Sequence, residues 1–146
     1  MAFDAHIPEI AGVIQLAVAP VFLLTAVGTI IGVLSNRLGR AVDRSRALEE
    51  RLRQLQPEGQ KAARAELNLL SRRVRLVYGS IVLSVICALF VGLLIAVAFV
   101  DAFIEIDLSK FIGLLFIAAM LAFILALLVF LREIFLAVSS ARSQMR

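Results

Sequence analysis

The sequence predicts an all-α membrane protein with three transmembrane helices, the first two extended into a cytoplasmic antiparallel coiled-coil hairpin. Three observations lead there. Of 146 residues, 62% are hydrophobic and the mean hydropathy is +0.99, well above the apolar content of ordinary soluble domains. Three runs long enough to cross the ~30 Å hydrocarbon core of a bilayer, residues 10–35, 77–100 and 111–131, contain no Asp, Glu, Lys or Arg. Leucines and small residues recur in 4-3 spacing on both sides of a break at "QPEG", the repeat of a coiled-coil seam.

Residues 1–9, "MAFDAHIPE", are expected to form an external N-terminus. They hold no Lys or Arg and carry Asp4 and Glu9, whereas a signal peptide needs a basic start and a short apolar stretch. The run at 10–35 is therefore read as a retained spanning helix, TM helix 1. Within it Gln15 is costly to expose to lipid, and Pro20 frees a carbonyl one turn earlier.

Residues 36–76 form the expected hairpin. No proline interrupts the chain between Leu34 and Gln56, and Arg, Leu, Glu, Ala and Gln are strong helix formers, so the helix should continue out of the membrane. A seam runs through Leu34, Leu38, Ala41, Ser45, Leu48, Leu52 and Leu55. Proline and Gly59 place a turn at 56–59. Beyond it a second seam, Ala63, Leu67, Leu70, Val74, Val77 and Ile81, enters the second run without a break. Two seamed helices joined by a short turn make an αα-hairpin. At 1.5 Å per residue it would project ~30 Å from the membrane.

Residues 77–100 are TM helix 2, 101–110 an external loop, 111–131 TM helix 3 and 132–146 a cytoplasmic tail. Small residues at Ser80, Ser84, Ala88, Gly92 and Ala96, and at Ala118, Ala122 and Ala126, read as helix-packing stripes. Cys87 is the single cysteine. It can form no intrachain disulfide and reads as a small packing residue.

Charge sets the orientation. Fourteen of the fifteen basic residues fall between 36 and 76 or after 131, and only Lys110 lies in the loop at 101–110. Short loops rich in Lys and Arg stay cytoplasmic, which puts the N-terminus out and the C-terminus in. The basic pI of about 10.2 then reflects topology and attraction to anionic lipid headgroups through Arg37, Arg44, Arg72, Arg73 and Arg75. Nucleic acid is not an expected partner.

The first helix has a second face. At 100° per residue, Thr25, Thr29, Gly32, Asn36, Arg40 and Asp43 lie together, opposite the leucine seam. Lipid would not favour this stripe, and Gly28 and Gly32 beside it have the GxxxG spacing of close helix approach. A homo-oligomer is the expected cover. The alternative is a channel lined by the same face, with Gln15 contributing.

The stretches "APVFLL" at 19–24, "NRLGR" at 36–40 and "DRSRALE" at 43–49 resemble a family of small bacterial membrane proteins catalogued only as a domain of unknown function. The resemblance covers most of the chain and is sharpest over 14–49. The family's recurrent proline, Asn-Arg and Asp-Arg match Pro20, Asn36, Arg37, Asp43 and Arg44. The resemblance implies a location in the bacterial inner membrane, and it supplies no activity, cofactor or partner.

Catalytic constellations are absent from the sequence. No Ser/His/Asp set, HExxH, P-loop or CxxC occurs, and the spans contain no acid that would mark a proton relay. Asp4, His6 and Glu9 include the lone histidine and make a poor metal set. The expected protein is non-enzymatic and needs no cofactor. It is a scaffold or accessory subunit whose partners are lipid, its own copies and an unidentified membrane or cytoplasmic protein.

Overall fold

The computed structural model describes residues 7–104 and 107–144, which form three helices. These are α1 Ile7–Leu52, α2 Pro57–Asp101 and α3 Ser109–Gln144. All three are long and apolar enough to cross a membrane. Asp4, His6 and Glu105 lie outside the described residues.

Each helix runs on past its charge-free stretch. α1 carries the apolar run into the arginine-rich segment with no interruption, and Pro20 sits inside it without ending it. α2 does the reverse, starting among charged residues and finishing at Asp101. α3 extends through Arg132 and Glu133 as far as Gln144, so most of the expected tail is helix. Nothing after Gly113 in the described part of α3 is a helix breaker.

The break between α1 and α2 falls at residues 53–56, earlier than the turn expected at 56–59. Pro57 explains the shift. It disfavours helical geometry at Gln56 before it, but its fixed φ and missing N–H suit the first position of a new helix. Gln54 N–H closes the end of α1 by donating to Arg51 O at 3.0 Å, and Gly59 N–H opens α2 by donating to Gln56 O at 3.0 Å. The Gln60 side chain donates to Leu55 O at 3.1 Å. Gly59 has no positive φ, so the reversal does not use glycine's conformational freedom as expected. Leu55, assigned to the seam, instead lies outside α1 and is exposed.

The α2–α3 connection is tied at both ends. Asp101 Oδ1 accepts from Leu108 N–H at 2.8 Å. Asp107 Oδ1 accepts from Ser109 N–H at 3.0 Å and from the Ser109 hydroxyl, an Asx-type contact just ahead of the helix that satisfies one of its orphan donors. The Ser109 hydroxyl, and then its backbone N–H, hold the Asp107 carboxyl below the usual carboxylate range.

Packing divides the chain into two units. One unit is Met1–Ile30 with Leu83–Ile124. Its interior holds Val27, Ser84, Cys87, Val91 and Ala119, all fully buried, with Leu94, Leu115 and Ala122 nearly so. Large apolar side chains point outward at Leu16, Phe22, Leu89, Leu114, Ile117 and Leu121, a surface made for lipid and not for water. The other unit is Ile31–Val82 with Leu125–Arg146. Leu34, Val77 and Ser80 are fully buried there, and Ser80 Oγ donates to Ala126 O at 2.8 Å. Leu48, Ala63 and Leu70 form a buried cluster, with Leu52 and Leu67 packed against it.

Burial follows a seven-residue repeat on each helix. On α1 the buried positions are Pro20, Val27, Leu34, Ala41 and Leu48. On α2 two series appear, Ala63, Leu70, Val77, Ser84, Val91 and Ser80, Cys87, Leu94. On α3 Leu115 and Ala122 form one series and Ala119, Ala126 and Glu133 another. This repeat corrects the packing stripe expected on TM helix 2. Ser80 and Ser84 are buried but Gly92 and Ala96 are exposed, because steps of four drift about 40° per turn around an α-helix while steps of seven drift only about 20°.

Candidate functional site

The buried charged residue among those described is Glu133, at 1% exposure. It follows the charge-free stretch of α3 by two positions and shares a burial series with Ala119 and Ala126. Two arginines meet it. Arg37 on α1 donates from Nη1 to Oε2 at 2.5 Å. Arg73 on α2 donates from Nε and Nη2 to Oε1 at 3.2 and 3.1 Å. Each helix thus contributes one member of the cluster. Phe130, one turn before Glu133, lies under the Arg37 guanidinium, 5.3 Å from ring centre to Cζ, within cation–π range.

Stripping a carboxylate of water costs several kcal/mol unless charge-assisted hydrogen bonds replace the lost solvation. Here both oxygens are taken, by guanidiniums whose side chains are themselves 32% and 29% exposed. The planar fork of arginine suits this task better than lysine would. A weaker version lies seven residues away on both helices, where Arg44 Nη2 donates to Glu66 Oε1 at 2.8 Å. That pair is largely exposed and is worth little by itself.

The five arginines expected at lipid headgroups therefore divide. Arg37, Arg44 and Arg73 have carboxylate partners within the protein, while Arg72 and Arg75 are exposed. Composition and helical period single out Arg37 and Arg73 but not Glu133, which lies in the segment expected to be a cytoplasmic tail. Two signals were available: an acid two residues past an apolar run, and two arginines on different helices with no nearby acid to meet them.

The polar face of α1 is exposed at every described position. In the first unit these are Gln15, Thr25 and Thr29. Thr25 Oγ1 donates to Val21 O at 3.2 Å and Thr29 Oγ1 to Thr25 O at 3.0 Å, so both hydroxyl protons are spent within α1. In the second unit Gly32, Asn36, Arg40 and Asp43 are exposed. Asp43 makes no ion pair among the described residues, with Arg40 or otherwise. A Cβ built on Gly28 or on Gly32 would meet nothing within 4 Å, so neither glycine is needed for packing within the chain.

Of the residues expected in the hairpin seam, Leu38, Leu52 and Leu67 are half-buried and Leu48 and Leu70 buried. A shallow groove in the same unit, about 650 Å³, is lined by Val42, Ser45, Arg46, Glu49, Ser71, Val74 and Arg75. Among the described residues no three His, Cys, Asp or Glu side chains are grouped to hold a metal ion.

The model of a family described as "Protein of unknown function (DUF2721)" matches residues 17–143. No curated protein matches, and no solved structure does.

Proposed function

The chain belongs to the DUF2721 family, and from that premise we propose that it is a non-enzymatic, homo-oligomeric scaffold or accessory subunit of the bacterial inner membrane. Its N-terminus is outside and its C-terminus inside, and α1 and α2 present a basic antiparallel coiled-coil hairpin to the cytoplasm. The hairpin reading is supported by the seven-residue burial series and by the Leu48, Ala63 and Leu70 cluster. The orientation is supported by the basic residues that flank the spans.

One observation carries the self-association. Gly32, Asn36, Arg40 and Asp43 form an exposed polar strip with no side-chain partner among the described residues, at the point where α1 passes from apolar to charged sequence. A strip holding one cation and one anion is self-complementary, as a two-fold interface requires. Gly32 leaves room for a second backbone. The channel alternative has less support, because the Thr25 and Thr29 hydroxyl protons are already bonded within α1 and the remaining lining is sparse. Expected partners are therefore other copies of the chain, anionic lipid and an unidentified membrane or cytoplasmic protein, with no nucleic acid.

The test is the mass of the assembly in mild detergent. Wild type should run as an oligomer. Gly32→Leu, which fills the space a second helix would need, should run as a folded monomer. A monomeric wild type would remove the self-association and leave a different protein as the cover of that strip.

A further inference from the structure

The Glu133 cluster is not electrically balanced. One carboxylate meets two guanidiniums, which leaves the group a net charge of +1. Glu133 occupies Nη1 of Arg37 and Nε and Nη2 of Arg73. The other guanidinium nitrogens, Nε and Nη2 of Arg37 and Nη1 of Arg73, have no partner among the described residues. Both side chains keep about a third of their surface open. The result is two guanidiniums fixed in place by a buried acid and an aromatic ring, with donors to spare.

Their level along the helices says what can reach them. The charge-free runs reach Leu34 on α1, Val77 on α2 and Leu131 on α3. Arg37, Arg73 and Glu133 stand only a few residues beyond these points, within about 6 Å along each helix. At that level hydrocarbon gives way to headgroups, whose phosphates are the most abundant anions present. Guanidinium geometry suits phosphate oxygens as it does carboxylate.

We infer that Arg37 and Arg73, positioned by Glu133, bind the phosphate diester of an anionic phospholipid, one lipid to each protomer. The charge of the cluster selects the class. A headgroup of net charge −1 balances it, whereas a zwitterionic headgroup brings its own ammonium toward a site that is already positive. Glu133 has two effects: it holds the guanidiniums, and it reduces a +2 site that would accept any polyanion to one matched to a monoanion. The inference rests on the burial and level of three side chains. It does not depend on the orientation or self-association proposed above, so failure of those tests is separable from failure of this one.

The experiment is native mass spectrometry of the full chain, solubilised in neutral detergent and equilibrated with equal amounts of phosphatidylglycerol and phosphatidylcholine. Wild type should retain one phosphatidylglycerol per protomer, in several-fold preference. The double variant Arg37→Lys/Arg73→Lys keeps both charges and can still pair with Glu133, but it loses the fork, and its preference should vanish. Arg73→Lys alone serves if the double variant does not fold. Arg46→Lys/Arg53→Lys, away from the cluster, should behave as wild type. Equal retention of the two lipids by wild type, full preference in the cluster lysine variants, or equal loss in the Arg46/Arg53 control would each overturn the site. Excess inorganic phosphate should leave the retained lipid in place, and displacement by it would overturn the lipid assignment in favour of a soluble phosphate.

Discussion

Arg37 and Arg73 hold opposite oxygens of one carboxylate, Oε2 and Oε1 of Glu133. Seven residues along, Arg44 and Glu66 satisfy each other directly. The two sets occupy equivalent heptad positions, since Arg37 precedes Arg44 by seven on α1 and Arg73 follows Glu66 by seven on α2. Two cations on neighbouring helices repel, and the third helix supplies the anion that lets them coexist. α3 is thereby specified at this position by charge as well as by apolar packing.

Removing that anion should be costly. Glu133→Gln leaves two guanidiniums facing each other without a counter-charge, and loss of one partner from a buried ion cluster typically costs about 3 kcal/mol or more. Glu66→Gln, at the exposed pair, should cost under about 1 kcal/mol. Thermal unfolding in detergent measures both. Equal effects would mean that Glu133 is solvated and the cluster is incidental.

The proposed hairpin seam can be tested beside its flank. Leu48→Asp places a charge in the cluster with Ala63 and Leu70 and should destabilise by about 2 to 4 kcal/mol, the range of severe core disruptions. Proteolysis near residues 53–56 should accelerate. Glu50→Lys, on the exposed side, should leave protease resistance unchanged. If the two variants are cut at the same rate, the seam is assigned to the wrong face.

The Asp107–Ser109 contact predicts a pH dependence. The Asp107 carboxyl is held below its ordinary value, about 3.9 in free peptides, by hydrogen bonds from Ser109. A group with a depressed folded-state pKa adds stability that is present above the unfolded pKa and is lost as pH falls through the folded one. Exchange protection of the Ser109 amide should therefore hold above about pH 4 and fall in more acidic solution. In Asp107→Ala protection should be lower throughout, with no such step.

Topology has a direct readout. A reporter fused after Arg146 should be active only on the cytoplasmic side. In a Cys87→Ala background, Phe103→Cys, exposed in the α2–α3 connection, should react with impermeant thiol reagents from outside. The opposite pattern would reverse the orientation and place the hairpin outside the cell.

Much of this architecture could be read from residue type and spacing. The three apolar runs, the continuity of α1 past Asn36, and the burial of Leu34, Ala41, Leu48, Ala63, Leu70 and Val77 all follow from composition and a seven-residue period. Local chemistry shifted two details. Pro57 reads as a helix breaker, yet it opens α2, since the same ring that restricts Gln56 favours the first helical position. Gly59 reads as a turn residue, yet it lies inside the first turn of that helix. The charged cluster was not legible, because the period of one helix says which of its faces is buried but not which residue of a distant helix arrives there. Arg37 and Glu133 are 96 positions apart, and only folding brings them into contact.

The most direct test of the central claim, that copies of the chain meet along the exposed strip of α1, is disulfide crosslinking in native membranes. Asn36→Cys, in a Cys87→Ala background, puts a thiol in the middle of that strip. Mild oxidation should yield a covalent dimer, and adding Gly32→Leu should abolish it. The account is contradicted if Asn36→Cys stays monomeric under oxidation while its thiol still reacts freely with a small alkylating reagent, because the strip would then be open and unoccupied by a second copy.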